Sequence, residues 1–379
     1  MPIPYGRQAI NDDDVAAVAE VLRGDWLTQG PSVTSFEQAV ADFCEAPYAV
    51  AFSSGTAALH AAAFAAGLGK GDELISSALT FSASANCAAY VGATPRFADI
   101  SGETLNVTAE TVAARLTPRT RAIVPVDFAG LAAPLDEIRR AVGNDVRIIE
   151  DAAHALGGQG PDGPVGNCSV ADMAVFSFHP VKTIATGEGG MVTTADVALR
   201  ERLVSFRNHG FSAQPTLLTD EGGWYREQHD LGFNYRLSDI HAALGRSQLR
   251  RIDDFIVARN AVAQRYRDWF ADVDEVILPP AATAPQRHAY HLFVIQVRSG
   301  REQRRRLYDE LRRRDIYAQV HYVPVYLHPW YRETFGYGPG LCPTVERYYD
   351  GCLSLPCFPM LTEAEQRTVA NAVIETLRV

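Results

Sequence analysis

Short apolar runs alternate with alanine-rich stretches of helical periodicity between Tyr48 and about Val204. Runs of about four to eight apolar residues, bounded by turn residues, are typical of strands buried on both faces of a sheet. Strands that alternate with helices predict a mostly parallel sheet covered by helices on both faces. The strand candidates are AVAF, ELISS, TPRFADI, RAIVPVDF, VRIIED, MAVFSF and GMVTT.

The pattern differs on either side of this segment. Apolar residues at helical spacing predict an amphipathic helix from Asn11 to Arg23, with Asn11 as its N-cap. In the C-terminal part, the periodicity predicts one long helix over residues 238–270. Short strands are then expected at residues 291–297 and 318–323.

The length of the chain predicts more than one domain. At 379 residues it exceeds the size at which a single hydrophobic core usually stops growing. We expect a large α/β domain at residues 1–250 and a smaller α+β domain at residues 251–379. The arginine-rich run at residues 301–314 is typical of a solvated helix face, with contact to a diphosphate as the alternative.

Composition and charge narrow the class of function. Hydrophobic residues make up 47% of the chain and charged residues 21%, as in ordinary globular proteins. A formal net charge of −10 disfavours binding to nucleic acid or to anionic membrane surfaces. No secretory signal is visible, and the longest apolar stretch, Ala57–Leu68, is too short to span a bilayer, so we expect a cytoplasmic protein. The six cysteines form no CxxC pair, which indicates reduced thiols and no metal site.

The segment VRIIED ends an apolar strand with the carboxylate of Asp151. In open α/β folds, ligands bind at the carboxyl ends of the strands, so this position suits a ligand-binding acid. The structural alternative is an ordinary helix N-cap, because Asp often caps a helix that follows a strand.

A lysine, Lys182, lies between the apolar strand candidates MAVFSF and GMVTT, in a polar turn rich in glycine. Most lysines are solvated surface residues, and that is the alternative here. A lysine between two buried strands can lose its hydration, which makes its amine nucleophilic.

The residues Ser53 to Thr56 precede an alanine-rich helix, whose free N–H groups can bind a phosphate. A simple capped helix is the alternative. Together, a phosphate site, an acid for a ring nitrogen and a lysine for an aldehyde are what pyridoxal 5′-phosphate (PLP) requires. The ordered set therefore predicts a PLP enzyme.

Several motifs of the chain resemble the DegT/DnrJ/EryC1/StrS family of sugar aminotransferases, nearly from end to end. They are WLTQGPSVTSFE, SSGTAAL, TFSASAN, EDAAHALG, FSFHPVKTIATGEGG, RNHGF and LGFNYRLSDIHAALG. The resemblance implies an α/β fold of the aspartate-aminotransferase type (PLP fold type I), with a mostly parallel sheet in a large domain and a smaller α+β C-terminal domain.

The resemblance also implies roles for individual residues. Lys182 would form the Schiff base with PLP, Asp151 would pair with the pyridine nitrogen, and His154 would contact the ring hydroxyl. Phe81 would stack on the cofactor face, although a core phenylalanine is the alternative. The phosphate-binding positions would be Gly55, Thr56, Ser177 and, from the neighbouring subunit, Asn234. An active homodimer with shared active sites follows from the last of these.

Within the family, PVDFAG, AQVHYVPVY and LSLPCFPMLT are most similar to members that act in pseudaminic acid biosynthesis. These use L-glutamate to aminate C4 of a UDP-linked 4-keto-6-deoxy-N-acetyl hexose, giving UDP-4-amino-4,6-dideoxy-N-acetyl-beta-L-altrosamine. His321 could equally be a structural histidine. The residues implied to line the pocket for the nucleotide-linked sugar are Tyr5, Asp25, Trp26, Leu27, Thr28, Gln319, Val320, His321 and Tyr322.

Other readings of the same resemblance differ in the reaction. Amination at C3, or of another nucleotide keto sugar such as a perosamine or bacillosamine precursor, uses the same cofactor residues. A non-catalytic sensor of nucleotide sugars would not need the set of Lys182, Asp151 and His154. Dehydratases of the family carry histidine in place of the lysine, so Lys182 disfavours that reaction. No clear substrate-clamping arginine occurs near residues 353–361, which favours a sugar acceptor.

Overall fold

The computed structural model of the chain describes residues 2–212, 222 and 224–378. The strands of this part are β1 (Ile3–Pro4), β2 (Tyr48–Phe52), β3 (Glu73–Ser77), β4 (Thr94–Ala98), β5 (Thr120–Val124), β6 (Arg147–Asp151), β7 (Gln159–Gly160), β8 (Gly163–Pro164), β9 (Met173–Ser177), β10 (Gly190–Thr194), β11 (Phe211–Ser212), β12 (Glu227–Gln228), β13 (Val276–Ile277), β14 (Phe293–Val297), β15 (Ile316–Tyr317) and β16 (Cys352–Leu355).

The α-helices are α1 (Asp12–Arg23), α2 (Pro31–Cys44), α3 (Gly55–Ala65), α4 (Ala83–Tyr90), α5 (Ala109–Ala113), α6 (Leu135–Val142), α7 (Val197–Arg207), α8 (Asp239–Leu249), α9 (Ile252–Phe270), α10 (Arg301–Arg313), α11 (Pro329–Phe335), α12 (Pro343–Gly351) and α13 (Glu363–Leu377). Short 3₁₀ helices span Phe128–Gly130 and Val325–Leu327. The first helix begins after Asn11, whose side chain accepts a hydrogen bond from the N–H of Asp14, so the predicted N-cap is confirmed.

A seven-stranded sheet with the order β2-β10-β9-β6-β5-β3-β4 forms the centre of the molecule. From β9 to β4 neighbouring strands are parallel, whereas β10 is antiparallel to both β2 and β9. These strands coincide with the apolar runs identified in the sequence. The prediction of a mostly parallel sheet is confirmed.

Both faces of the sheet are covered by helices, because successive side chains of a strand point to opposite sides. On β3, Leu74 packs in a cluster with residues of α3 such as Ala62. Its neighbour Ile75 packs on the other face with Val112 of α5 and Ile138 of α6. The loops at the carboxyl ends of the strands are therefore the part of the sheet that is free to form a site.

The helix expected over residues 238–270 is divided into α8 and α9, so that prediction was wrong. Arg251, between the two helices, has a non-helical backbone with φ −113° and ψ 10°. Its guanidinium lies 2.5 Å from the buried carboxylate of Asp14 in α1. Gln248 donates a hydrogen bond of 2.6 Å to the same carboxylate. Such long-range bonds leave no mark on local hydrophobic periodicity.

The strand expected at residues 318–323 was also a wrong prediction. Pairing in this region consists of β15, which lies parallel to β1, and one bridge between Gln319 and Ser354. Pro4 occupies the second position of β1 and has no N–H to donate, which limits the ladder on that side. By contrast, the strand expected at residues 291–297 is confirmed as β14.

The C-terminal part is built on an antiparallel sheet with the order β13-β14-β16. Its core includes Phe293 from β14, Tyr266 from α9, Leu307 from α10 and Val369 from α13. Ile3 belongs to the same core, so the first strand of the chain packs with this part. The division of the chain at residue 250 stays a prediction.

The arginine-rich run forms α10, as a solvated helix face predicts. Arg301 lies 2.6 Å from Asp350, and Arg314 lies 2.6 Å from Glu375. These ion pairs are on the outside of the C-terminal part. Two arginines of the run are therefore paired with acidic side chains of the same part of the chain.

Three further features concern the part of the chain that the structure describes. None of its helices combines the length and the apolar character needed to cross a membrane. Its residues include no group of three or more His, Cys, Asp or Glu side chains placed to hold a metal ion. All six cysteines are buried and carry free thiols.

Two acidic side chains, Asp127 and Glu150, are buried together next to the end of β6. Burial raises the pKa of both groups, that of Glu150 to about 7. The negative charge of Glu150 also raises the pKa of Asp127, which lies well above its usual range. Oδ1 of Asp127 accepts a hydrogen bond of 2.8 Å from the N–H of Ala133. The folded protein therefore retains protons here that the unfolded chain would release.

The buried acids predict a pH-dependent stability. The pKa of Glu150 rises on folding from 4.5 to about 7, so the stability it contributes is lost as the pH rises through that window. Between about pH 5 and about pH 8, the melting temperature of the wild type should fall more than that of Glu150→Gln. The difference between the two falls should be on the order of a few degrees. Calorimetric scans measure the difference. The exposed Glu137→Gln should follow the wild type, and equal slopes for Glu150→Gln would contradict the prediction.

Candidate active site

A cavity of about 400 Å³ opens at the carboxyl ends of the parallel strands. A volume of this size is sufficient for a small-molecule ligand. The loop after β3 contributes Thr80, the loop after β5 contributes Val126, and β6 contributes its last residue, Asp151. The other residues predicted around the cofactor that line this cavity are Gly55, Thr56, Phe81, His154, Ser177 and Lys182.

The carboxylate of Asp151 is buried and held by two hydrogen bonds. Ser84 donates to Oδ2 over 2.5 Å, and the N–H of Ala153 donates to Oδ1 over 3.2 Å. Burial raises the pKa of Asp151, whereas these donors and the charge of Lys182 act in the opposite direction. Residues 153–157 form turns and no helix begins there, so Asp151 is not a helix N-cap.

Lys182 lies in the turn between β9 and β10 and is partly buried. Burial lowers the pKa of its amine to about 8; Arg259 also lowers it, while the carboxylate of Asp151 acts to raise it. The Nζ atom is 3.5 Å from Nε2 of His291. Lys182 is therefore not an ordinary surface lysine, and its amine is available as a nucleophile near neutral pH.

The start of α3 forms one wall of the cavity. Ser54 caps the helix by accepting a hydrogen bond of 3.1 Å from the N–H of Ala57. A Cβ atom placed on Gly55 would come within 3.0 Å of Cβ of Ser177, so glycine is needed for the helix start to approach β9. The free N–H groups of a first helical turn and a serine hydroxyl thus lie at one position, which suits a phosphate.

His154 is buried at the back of the cavity. Its Nδ1 accepts a hydrogen bond of 3.3 Å from the N–H of Ala129, which places the ring proton on Nε2. That Nε2 lies 3.4 Å from the hydroxyl of Tyr322. Burial lowers the pKa of His154 well below its usual range, so the ring is neutral and presents one N–H donor.

Aromatic side chains form the mouth of the cavity. Phe81 is 59% exposed, and its ring centre is 6.3 Å from that of Tyr322. The rings of Tyr5 and His321 lie 5.4 Å apart. Nδ1 of His321 is 2.7 Å from the hydroxyl of Ser354, and burial lowers the pKa of His321 to about 3. A neutral wall with several polar groups results.

The other predicted residues lie outside the cavity that one chain forms. Asn234 is exposed and forms an isolated antiparallel β-bridge with Asn208. Residues 25–28 (Asp25, Trp26, Leu27 and Thr28) are exposed. Gln319 and Val320 are half-buried and do not line the cavity. The roles predicted for these residues stay predictions.

Three residues around the site were missed by the sequence reasoning: Ser84, Arg259 and His291. The motif TFSASAN contains Ser84, which stands one helical turn after Phe81 and could have been found there. His291 is 109 residues from Lys182 in the chain, so no local pattern connects them. The same holds for Arg259, whose guanidinium lies 3.5 Å from the carbonyl oxygen of Lys182.

The residues present fit PLP. The cavity offers an anionic acid for the ring nitrogen, an amine for the aldehyde and a helix start with a serine for the phosphate. Gly55 keeps the phosphate corner free of a side chain. All of these groups face one space of adequate volume.

Solved structures of similar proteins agree with this description. Helicobacter pylori PseC, an aminotransferase involved in the biosynthesis of pseudoaminic acid, is 30% identical, with a TM-score of 0.91 over 100% of both chains. The PLP form of a putative sugar aminotransferase, Spr1654 from Streptococcus pneumoniae, is 26% identical, with a TM-score of 0.92 over 100% of this chain and 99% of that chain.

The fold and the site together define a PLP-dependent aminotransferase of the aspartate-aminotransferase type. A curated relative, the spore coat polysaccharide biosynthesis protein SpsC of Bacillus subtilis, is 38% identical over 99% of this chain and 97% of its own length. Residues 8–374 match the model of the DegT/DnrJ/EryC1/StrS aminotransferase family. The chain belongs to that family, and the expected family, fold and cofactor are confirmed.

The hydroxyl of Ser84 predicts an effect on cofactor affinity. Ser84 has a single hydroxyl proton, which it donates to Asp151, so in the 2.6 Å contact with the hydroxyl of Thr80 it is Thr80 that donates. Ser84→Ala raises the pKa of Asp151 further and should weaken PLP binding roughly tenfold to a hundredfold, because a hydrogen bond to a charged group contributes about 1.5–3 kcal/mol. Absorbance titration with PLP measures the affinity. Ser82→Ala is the control, because Ser82 is the N-cap residue of α4 but its side chain makes no capping hydrogen bond. Unchanged affinity in Ser84→Ala would refute the role.

Proposed function

We propose that the chain transfers an amino group from L-glutamate to C4 of a UDP-linked 4-keto-6-deoxy-N-acetyl hexose. The product is UDP-4-amino-4,6-dideoxy-N-acetyl-beta-L-altrosamine. The observation that carries the proposal is the convergence of Lys182, Asp151 and the start of α3 in one cavity. The similarity to the Helicobacter enzyme of pseudoaminic acid biosynthesis supports the choice of sugar.

Bound PLP supplies an electron sink that allows an amino group to leave the donor and to reach the acceptor. Lys182 would hold the cofactor through its Nζ atom and later carry a proton at the reacting carbon. With a pKa of about 8, roughly a tenth of the amine is neutral at pH 7, against about one in a few thousand for an ordinary lysine. The burial of Lys182 therefore increases the neutral, nucleophilic fraction of its amine near neutral pH, as its proposed role requires.

Asp151 and His154 would bind the cofactor ring on two sides. The hydrogen bonds from Ser84 and Ala153 favour the ionised form of Asp151, which suits a partner for a protonated ring nitrogen. His154, neutral and with its proton on Nε2, would donate to the ring hydroxyl. Gly55 and the α3 N–H groups would hold the phosphate, with Ser177 as a further donor.

The mouth of the cavity suits a sugar acceptor. Tyr5, His321 and Tyr322 place aromatic faces beside hydroxyl and imidazole groups, and a pyranose ring presents both apolar C–H faces and hydroxyls. A saccharide acceptor also agrees with the relative SpsC, a spore coat polysaccharide biosynthesis protein. Residues 25–28, Gln319 and Val320 would complete the site for the nucleotide end.

A homodimer would complete the phosphate site. Asn234 is exposed and lies outside the cavity of its own chain, as a residue that serves a neighbouring subunit must. The amide of Asn234 would donate to the phosphate of the cofactor bound by the partner. A closed two-fold dimer would place one such residue in each of its two sites.

The substrate proposal predicts a defined product. With L-glutamate and a panel of nucleotide-linked 4-keto and 3-keto sugars, the UDP-linked 4-keto-6-deoxy-N-acetyl hexose should be converted fastest, with 2-oxoglutarate as co-product. Mass spectrometry and NMR of the product measure the transfer and the position of the amine. Lys182→Arg should remain folded and lose transfer. Amination at C3 or preference for another sugar would overturn the choice of substrate, and full activity of Lys182→Arg would overturn the mechanism.

Shared sites predict rescue between two inactive variants. Lys182→Ala and Asn234→Ala should each be strongly impaired alone. Mixed dimers contain one site with both residues intact, so refolded or co-expressed mixtures should recover about a quarter of wild-type transfer if the subunits pair at random. A mixture of Lys182→Ala and Lys182→Arg should recover none. Absence of rescue in dimers verified as mixed would show that Asn234 does not act across the interface.

A further inference from the structure

A buried histidine, His291, contacts the amine of Lys182 and has no role among those proposed above. Its Nε2 lies 3.5 Å from Nζ of Lys182, and its ring centre is 4.4 Å from that of His154. The side chain is 4% exposed and lines the cavity. His291 therefore stands at the atom on which the proposed chemistry depends.

His154 and His291 differ in whether a hydrogen bond to Nδ1 fixes the tautomer of the ring. Nδ1 of His154 accepts a hydrogen bond from the N–H of Ala129, which fixes its tautomer. Nδ1 of His291 is buried and has no hydrogen-bond partner among the described residues. No bond fixes the tautomer of His291, so its Nε2 can accept a hydrogen bond from a charged lysine or donate one to a neutral lysine.

The backbone around His291 is held by the buried guanidinium of Arg259. It donates to the carbonyl oxygen of His291 over 3.3 Å, to that of Tyr290 over 3.2 Å and to that of Cys357 over 2.8 Å. The carbonyl of Lys182 lies 3.5 Å from the same guanidinium. One side chain thus joins the segment of His291 to the segment of Lys182.

The proton between the two groups stays on the lysine. Burial and the charge of Lys182 lower the pKa of His291 well below its usual range, whereas the pKa of Lys182 is about 8. A neutral imidazole is therefore an acceptor that orients the amine without removing its proton. The titratable and charged groups that face this pair are Asp151, His154, Arg259, His321 and Tyr322.

We propose that His291 is a positioning residue for Lys182: its Nε2 holds the Nζ atom in both protonation states and directs the amine at the carbonyl carbon of the cofactor. The bond that forms is between Nζ and that carbon, and the oxygen leaves as water. The inference rests on the proposed role of Lys182 and is independent of which sugar is aminated.

The test is the rate at which the full-length cofactor-free protein captures PLP, followed by visible absorbance across pH. In His291→Leu the limiting rate at high pH should fall about tenfold or more, since a hydrogen bond to the attacking amine is lost. The midpoint of the pH profile should move down, because the charged amine loses an acceptor. His291→Gln keeps an acceptor and a donor and should recover most of the rate and the midpoint.

A matched control is His288→Gln. His288 is also buried, three positions earlier, but its Nδ1 accepts from the N–H of Tyr290 and it does not line the cavity. Its rate and midpoint should equal those of the wild type. Circular dichroism verifies that each variant is folded. If the leucine variant is not folded, His291→Phe replaces it, since phenylalanine likewise offers no acceptor to the amine.

Two results would overturn the inference: capture by folded His291→Leu with the rate and midpoint of the wild type, or a loss in His291→Gln as large as that in His291→Leu. Lys182→Arg separates this inference from the proposed function. If that variant still captures PLP like the wild type, the role of Lys182 itself is wrong.

Discussion

A carboxylate kept out of water at the end of β6 is the constraint on which the site depends. Burial favours the neutral form of Asp151, so its charge has to be supported by Ser84, by the N–H of Ala153 and by the ammonium of Lys182. For Lys182 the effects have the opposite sign. Burial lowers the pKa of its amine, and the negative charge of Asp151 raises it. The two groups therefore set each other's protonation, and a shift in either one alters both.

Much of the fold could be predicted because strands buried on both faces of a sheet appear in the sequence as short apolar runs. All the runs identified between β2 and β10 are strands of the central sheet. The errors have a different physical origin. The break between α8 and α9 accompanies bonds from Arg251 and Gln248 to Asp14, more than 200 residues away. The short pairing of β15 depends on Pro4 at the other end of the chain. Contacts of this kind are absent from any local window of sequence.

The same distinction applies to the candidate site. Asp151, Lys182 and the start of α3 stand at the ends of elements whose types were evident, so topology brings them together. His291 and Arg259 arrive from the C-terminal part, and only the folded chain reveals them beside Lys182. Asn234 and residues 25–28 carry specific motifs yet lie outside the cavity of one chain, which is the pattern expected where two subunits build one site.

The pairing of β1 with β15 places the segment around Tyr5 in the wall of the cavity. Tyr5 follows β1 directly, its carbonyl accepts a hydrogen bond of 3.0 Å from the N–H of Cys357, and its ring packs on His321. Ile3 belongs to the core of the C-terminal part and Tyr5 lines the cavity, so a substitution in this short segment disturbs core packing and the cavity wall together.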